Sequence, residues 1–217
     1  MVDRASHKDP YGGNAFTAPM ESMLEFYEAL YADLPPAVVK LGASDKARVI
    51  VYTDASSGDG YHGLGIVVLD LEDGARYVSG DTCPTWLLEK LSSDHQVFIA
   101  QLELYVTLCA LRTFGRVLQG RDVVWFVDST HAMSPLVHGY ARAPDMAAMS
   151  NIFHLRNAKL RARVWLAWVP SNANISDVPS RPDDAKGREL LRRFAGKWRR
   201  MRHPPGSDWP EPGSILR

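Results

Sequence analysis

The stretch that decides the fold is RVIVYTDASSGDGYHGLGIVVLDLEDGARYVSG, residues 48–80. Residues 48–54 are a β-branched run of the kind that is typical of a buried strand. Residues 62–80 predict two further strands joined at Asp73-Gly74, because Asp-Gly between apolar runs is a strong signal for a hairpin turn. Three consecutive strands with short connections predict an antiparallel meander.

The remainder of the chain alternates helices and strands. Residues 81–97 are expected to be irregular. The pattern then predicts a helix (98–118), a strand (121–128), two helices (129–141 and 144–160), a strand (161–169) and a last helix (184–201). Strands separated by helices are typical of parallel addition to a sheet. We therefore predict an α/β protein with a mixed five-stranded sheet flanked by helices.

The composition excludes several classes of protein. Of the 217 residues, 46% are hydrophobic and 23% are charged, which is ordinary for a globular domain. No apolar run approaches the roughly 18 residues of a membrane helix, and the N-terminus lacks the apolar core of a secretory signal. Cys83 and Cys109 are far apart and adjoin no histidine cluster, which argues against a disulfide scaffold and structural zinc. We expect an intracellular protein, in cytoplasm or nucleus, that is not secreted and has no membrane partner.

The zero net charge hides an asymmetry between the two halves of the chain. Residues 1–108 carry 7 Lys+Arg and 16 Asp+Glu, whereas residues 109–217 carry 18 and 9. The densest basic stretch is KGRELLRRFAGKWRRMR, residues 186–202, with eight basic residues and one acid. Such a block suits contact with phosphate groups, and the alternative is a solvated helix face.

Prolines and changes in composition along the chain predict three segments. Residues 1–45 form an extension with one amphipathic helix (20–34) that ends at Pro35-Pro36. Residues 46–201 form the α/β domain. Residues 202–217 form a Pro-rich tail.

Two aspartates end predicted strands. Side chains alternate along a strand, so Asp54 shares a face with Tyr52, and Asp128 shares a face with Phe126. If the two strands are parallel neighbours, both carboxylates emerge at the C-terminal edge of the sheet, where open α/β sheets place their ligands. The alternatives are a turn acid for Asp54 and a helix N-cap for Asp128.

Two further acids stand in unusual places. Glu103 falls on the core-facing stripe of helix 98–118, where an unpaired carboxylate costs several kcal/mol or shifts its pKa. The alternative is that it sits at the rim of that stripe and reaches water. Asp177 lies in the loop between the last strand and the last helix, where an ordinary Asx turn is the alternative.

Four converging acids would repel one another unless a cation neutralised them. Hard oxygen ligands select Mg²⁺, for which Mn²⁺ can substitute. A cluster of this size suits two ions about 4 Å apart, the arrangement that supports phosphodiester hydrolysis. The sequence therefore predicts a two-metal nuclease site.

Four motifs between about residues 46 and 201 resemble the ribonuclease H domain of retroelement reverse transcriptases. VYTDASSGDGYHGLGIVVLD is similar to the first-strand Asp with its Gly-rich second strand. FIAQLELYVTLCALRTFGRVLQG is similar to the helix with the catalytic Glu, and VVWFVDSTHAMSPL to the fourth strand with its Asp. VPSNANISDVPSR is similar to the closing motif of gypsy-type and tyrosine-recombinase retrotransposons, with Asn174, Asp177, Ser180 and Arg181 in the matching positions.

The resemblance implies a ribonuclease H-like sheet of strand order 3-2-1-4-5 and the catalytic, metal-binding set Asp54, Glu103, Asp128 and Asp177. It also implies hydrolysis of the RNA strand of RNA–DNA hybrids, and possible partnership with a reverse transcriptase polymerase domain. The substrate contacts we expect are Ser56, Gly58, Ser129, Asn172, Asn174, Arg181, Arg188 and Arg192. One departure stands out: cellular ribonucleases H often carry a His in the loop before the last Asp, and none occurs between residues 155 and 202.

Two alternatives remain open. The chain is a non-catalytic ribonuclease H-like module that binds nucleic acid or protein, or it belongs to another branch of the superfamily. Exonucleases place an acid two residues after the first Asp, where this chain has Ser56. Recombinases usually lack an acid on the first helix, where this chain has Glu103.

Overall fold

A computed structural model describes residues 24, 27–28, 31–32, 47–58, 60–94, 96–181 and 185–205. Of the predicted helix 20–34 it describes five residues, all of them helical; the rest of that helix and residues 206–217 lie outside the described residues. No helix within the described ranges is long and apolar enough to cross a membrane.

The described chain folds into six strands and six helices, with one 3-10 turn at Ser171–Ala173. The strands are β1 (Val49–Gly58), β2 (Tyr61–Asp70), β3 (Arg76–Thr82), β4 (Asp122–Val127), β5 (Arg163–Trp168) and β6 (Lys197–Trp198). The helices are α1 (Thr85–Asp94), α2 (Ile99–Leu118), α3 (Thr130–His138), α4 (Pro144–Leu160), α5 (Asp177–Ser180) and α6 (Ala185–Phe194).

The strands form one mixed sheet in the order β5-β4-β1-β2-β3-β6. β1, β2 and β3 are antiparallel neighbours, and β4 and β5 add in parallel on the other side of β1. The predicted hairpin forms at Asp73-Gly74: Asp73 Oδ1 accepts the N–H of Ala75 at 2.8 Å, and Gly74 has the left-handed φ of 70°. The predicted α/β class and the order 3-2-1-4-5 are confirmed, and β6 extends the sheet by one edge strand.

The prediction for residues 81–97 is wrong in part, because residues 85–94 form helix α1. Its buried residues are Leu87 and Leu91, spaced by one helical turn. So short an apolar stripe gives little periodicity to recognise in the sequence.

The predicted last helix, residues 184–201, is too long. It ends at Phe194, and Lys197–Trp198 instead pair in parallel with Tyr77 and Val78 of β3. Ala195 adopts a left-handed φ of 54°, and Gly196 crosses so close to β3 that a Cβ there would lie 2.6 Å from Val78 Cγ2. Contact with the edge of the sheet therefore overrides the helical pattern in this segment.

One face of the sheet packs against α2, the most deeply buried helix. Residues 101–111 of α2 are all buried, so this helix has little solvent-facing surface in its first three turns. Trp125 of β4 donates through Nε1 to Thr53 Oγ1 at 3.0 Å, which satisfies the polar atom of a fully buried ring. The sheet residues on this face include Val49, Val51, Leu64, Ile66 and Val68.

The opposite face of β2 and β3 carries three glycines, Gly63, Gly65 and Gly80, which we call the glycine strip. Gly65 lies opposite both Asp54 and Gly80 in the strand register. A Cβ on these residues would lie 1.8, 2.2 and 2.4 Å from backbone oxygens of Ser180, Ser176 and Pro179, respectively. The backbone of the α5 segment therefore rests directly on the sheet, and only glycine permits so close an approach.

We expect Gly65→Ala to lower the free energy of unfolding by about 1–3 kcal/mol, because the added methyl group must displace the α5 backbone. Urea denaturation of the full chain measures this. Gly58→Ala is the matched control, since a Cβ there meets nothing within 4 Å, and it should change stability by less than about 0.5 kcal/mol. Equal stability of the two variants would contradict the packing described.

Candidate active site

Three carboxylates meet at one edge of the sheet. Asp54 lies in β1, Glu103 in α2, and Asp128 directly follows β4. One oxygen from each side chain lies within 4.8 Å of an oxygen of the other two. We call this group the carboxylate trio.

The parallel register of β1 and β4 brings the two aspartates to the same edge. Tyr52 is the register partner of Phe126, and their rings stack with centroids 4.8 Å apart. Asp54 and Asp128 each follow two residues later, so each returns to the face of its stacked ring. The juxtaposition expected from strand alternation is therefore present.

Glu103 reaches the trio from the other side. Its side chain is only 5% exposed, so it does not extend to water as a rim residue would. Oε1 accepts the backbone N–H of Ala55 at 3.2 Å, whereas the buried Oε2 has no hydrogen-bond partner among the described residues. An unsatisfied buried carboxylate oxygen is costly, which indicates that this position suits a cation.

Asp128 has a similar unsatisfied atom. Its Oδ1 is buried and accepts no hydrogen bond from the described residues. The N-cap of α3, one alternative role for Asp128, belongs to Ser129, whose Oγ accepts the N–H of Ala132 at 3.2 Å. Asp128 thus remains available to the trio.

The electrostatics of the trio favour a bound cation. Burial raises the pKa of Asp54 to about 7; the hydrogen bond from Ser180 opposes this rise, and the charges of Asp128 and Asp177 add to it. Burial raises the pKa of Glu103 well above its usual range, and the charges of Asp54 and Asp128 raise it further. A divalent cation would replace this repulsion with attraction.

The residues present fit a hard divalent metal ion. They supply oxygen ligands only, two of their oxygens are buried and lack hydrogen bonds, and they lie close enough together to share one ion. Oxygen ligands without His or Cys are what Mg²⁺ and Mn²⁺ prefer. The trio is therefore a candidate centre for a divalent metal.

Asp177 lies near the trio without joining it. It is the first residue of α5, and its Oδ1 forms an ion pair with Arg181 at 2.8 Å. Its charge nevertheless contributes to the raised pKa of both Asp54 and Glu103, which places it within electrostatic reach. The structure thus brings together three of the four predicted acids and leaves the fourth beside them.

Two predicted substrate contacts are occupied within the protein. Asn174 is 3% exposed; its Nδ2 donates to the Thr53 carbonyl at 3.1 Å, and its Oδ1 accepts from Ser176 Oγ at 2.6 Å. The hydroxyl of Ser56 donates to the Ser180 carbonyl at 2.7 Å. Both side chains hold the chain between Asn174 and Ser180, which we call the closing segment, against β1. Their contact with substrate stays a prediction.

Ser180 is a further residue of the site, for which the sequence predicts no role. Its Oγ donates to Asp54 Oδ2 at 2.5 Å and also contacts the Asp177 carbonyl at 2.9 Å. It therefore orients the carboxylate of Asp54. The signal available in the sequence was a serine three residues after Asp177, on the same side of a helical turn.

Of the other predicted contacts, the half-buried Ser129 caps α3, whereas Gly58, Asn172, Arg181 and Arg192 lie at the surface. Gly58 and Asn172 are exposed, at the end of β1 and in the 3-10 turn, and the side chain of Arg181 is 60% exposed. Arg192 pairs with Glu189 at 3.2 Å, and the side chain of Arg188 lies outside the described residues. The structure leaves the substrate roles of these residues as predictions.

No protein-family model and no curated protein matches the chain. Several solved structures are similar to it. Ribonuclease H1 from the halophilic archaeon Halobacterium salinarum NRC-1 is 21% identical, with a TM-score of 0.44 over 59% of this chain and 90% of that one. The N-terminal ribonuclease H domain of rv2228c from Mycobacterium tuberculosis, solved as a fusion with maltose-binding protein, is 14% identical, with a TM-score of 0.45 over 67% and 99%. LC11-RNase H1, isolated from compost, is 16% identical, with a TM-score of 0.41 over 66% and 98%.

We expect the metal-free protein to lose stability as the pH rises from about 4 to above 7. The unfolded chain releases its carboxyl protons near pH 4, whereas the folded chain keeps the proton of Asp54 until about pH 7. Glu103→Gln, which removes one of the repelling charges, should therefore melt about 3–6 °C above the wild type at pH 8 in EDTA, and this difference should shrink towards pH 4.

Addition of Mg²⁺ should raise the melting temperature of the wild type more than that of Glu103→Gln, since a ligand stabilises the state that binds it. Differential scanning calorimetry across pH, with and without metal, measures both effects. Glu89→Gln, at an exposed site on α1, is the control and should follow the wild type. A melting temperature of the wild type that does not respond to Mg²⁺ or Mn²⁺ would exclude the metal centre.

Proposed function

We propose that the chain is a metal-dependent endonuclease that hydrolyses the RNA strand of RNA–DNA hybrids by a two-metal-ion mechanism. The observation that carries this proposal is the carboxylate trio, with its buried, unpartnered oxygens on Glu103 and Asp128. A structural role would require those oxygens to be hydrogen-bonded, whereas a role in metal binding requires them to be free.

Each residue of the site would have its own role in the reaction. Asp54, Glu103 and Asp128 would hold the divalent ions, and Asp177 would complete the set if its ion pair with Arg181 opened. Two ions held there would supply Lewis-acid chemistry for the attack of water on the phosphate and for the departure of the 3′-oxygen. Ser180 keeps Asp54 oriented, and the Ala55 N–H does the same for Glu103. The products carry a 3′-hydroxyl and a 5′-phosphate.

Residues outside the trio would hold the substrate. Gly58, Asn172 and Arg181, which are exposed, would approach the backbone of the hybrid, and Arg188 and Arg192 would supply positive charge that attracts its phosphates. Discrimination of the RNA strand requires contact with its 2′-hydroxyl groups, which a wide minor groove exposes.

The motif VPSNANISDVPSR supports a retroelement origin for the enzyme, with a reverse transcriptase polymerase domain as its natural partner. We accordingly propose that residues 46–201 are the ribonuclease H-like domain, that residues 1–45 derive from a connection segment, and that residues 202–217 are a Pro-rich tail whose first two residues, Arg202 and His203, are held against the domain. RNA–DNA hybrids form inside cells, so we place the enzyme in the cytoplasm or nucleus.

One observation favours the alternative, a ribonuclease H-like module that binds nucleic acid without cleaving it. The fourth acid, Asp177, is engaged by Arg181. In this alternative the ion pair persists when metal and substrate are present, and the metal set stays incomplete.

Three substitutions in the trio test the proposal. We expect Asp54→Asn, Glu103→Gln and Asp128→Asn each to lower the cleavage rate of an RNA–DNA hybrid in Mg²⁺ by about 10³-fold or more, since each removes a ligand charge from the metal site. Asp177→Asn should lower it less, by about 10–100-fold, because this residue lies outside the trio. Gel analysis of a hybrid labelled on the RNA strand measures the rates.

Glu89→Gln is again the control and should cleave as the wild type does. The same gel should show the matching DNA duplex uncut. If the wild type binds the hybrid but cleaves neither substrate in Mg²⁺ or Mn²⁺ across pH 6–9, the non-catalytic alternative is correct. Equal rates for the wild type and all three trio variants would mean that the trio does not carry the chemistry.

A further inference from the structure

A polar cavity lies away from the carboxylate trio. It has a volume of about 750 Å³ and lies between the C-terminal half of α2 and residues 199–203. Its lining includes five arginines and no acidic residue. We call it the arginine groove; the five arginines are Arg112, Arg116, Arg199, Arg200 and Arg202.

Several contacts hold the wall of the arginine groove in place. The N–H of Arg199 donates to the Val78 carbonyl at 2.8 Å, and the N–H of Arg202 donates to Thr113 Oγ1 at 2.9 Å. Between them, Met201 is buried, with 4% of its surface exposed. The segment that carries three of the arginines is therefore anchored to both β3 and α2.

His203 anchors the end of this segment. Its Nε2 lies 3.1 Å from Asp81 Oδ2, and its ring stacks on that of Tyr105, which is fully buried. The nearby acid Asp81 is thus engaged by His203. The groove is a built feature of the fold, since a loose basic tail would have none of these contacts.

The positive charge of the groove is incompletely neutralised. Within the described part of the chain, no acidic side chain forms an ion pair with Arg116, Arg200 or Arg202, and all three are exposed. The guanidinium of Arg199 lies over the ring of Tyr77 at 5.5 Å from its centroid. Cations gathered around a cavity repel one another, so a bound anion would relieve an existing cost.

The groove is distinct from the trio. Glu103 and Arg116 lie on the same helix, 13 residues apart, which corresponds to about 20 Å at 1.5 Å per residue. A ligand in the groove therefore does not contact the carboxylates. A nucleic acid of more than about six base pairs, at about 3.4 Å each, is long enough to extend from one to the other.

We propose that the arginine groove binds the phosphate backbone of a nucleic-acid strand outside the reacting segment. Arginine is suited to this role because its planar guanidinium donates two parallel hydrogen bonds to phosphate oxygens. A cavity of about 750 Å³ lined by five arginines is larger than a single phosphate requires, and it has room for several phosphates in sequence along a strand. This inference rests on the proposed function, because it assigns to the same substrate a second point of contact.

The test measures binding in EDTA, so that cleavage plays no part. The full chain is titrated into a fluorescein-labelled RNA–DNA hybrid of about 20 base pairs, longer than the separation of the two sites, over a range of KCl concentrations. The double variant Arg116→Gln/Arg200→Gln should bind more weakly at low salt. The slope of log Kd against log[KCl] should also fall by about 1.8, because two phosphate contacts are lost.

The matched control is Arg161→Gln/Arg163→Gln, which removes two positive charges beside β5, at the opposite edge of the sheet. It should leave the slope within about 0.5 of the wild type. An unchanged slope in the groove variant, or an equal fall in both variants, would overturn the inference. Melting temperatures of both variants establish that they are folded.

The experiment distinguishes a failure of the proposed function from a failure of the arginine groove. If the wild type does not cleave the hybrid in Mg²⁺, the proposed function fails, and the salt slope still reports on the groove. If cleavage and its dependence on the trio hold while the slope does not change, the groove alone is wrong.

Discussion

The hydrogen bond from Ser180 to Asp54 is the interaction on which the geometry of the site depends. It joins residues 126 positions apart in the chain and ties the α5 segment to the first strand. It forms because the α5 backbone rests on the glycine strip, where any side chain would hold the segment away from the sheet. Ser56 and Asn174 reinforce the same junction with hydrogen bonds to the Ser180 and Thr53 carbonyls. Sheet and closing segment therefore form one scaffold for the carboxylates.

The electrostatics of this scaffold oppose the stability of the metal-free fold. The deeply buried carboxylates Asp54 and Glu103 share an edge with Asp128, whose charge raises the pKa of both, and the charge of Asp54 raises that of Glu103 further. Clusters of mutually repelling carboxylates are common at functional sites, and a bound cation replaces their repulsion with attraction. Charge is also separated along α2. The acids of the trio lie near its N-terminal end, and the arginines of the groove lie near its C-terminal end.

Much of the fold could be predicted from local pattern, and the errors have physical causes. The hairpin at Asp73-Gly74, the buried strand before Asp128 and helix α2 were recognised because period, turn chemistry and length agree in each. The sequence does not predict helix α1, because Leu87 and Leu91 alone make too short an apolar stripe. The predicted last helix is too long because Trp198 and Met201 continue the helical spacing, although Trp198 pairs with the edge of the sheet. At this position the pairing of Trp198 with β3 outweighs the helical propensity of the segment.

For the candidate site, the sequence by itself determined that Asp54 shares a strand face with Tyr52, that Asp128 shares one with Phe126, and that Glu103 stands on a core-facing stripe. These follow from periods of 2 and 3.6, which any local segment displays. That β1 and β4 are parallel neighbours, and that β1 continues past Asp54 to Gly58, came from the tertiary structure. Only the tertiary structure decided that Asp177 pairs with Arg181 beside the trio, that Asn174 and Ser56 are engaged in holding the closing segment, and that Ser180 orients Asp54. It alone also assembled the arginine groove from α2 and the segment after β6. All of these are contacts between residues that are distant in the chain and are brought together by packing. The periodicity of a segment shows which of its faces is buried, but it does not show which distant segment packs against that face.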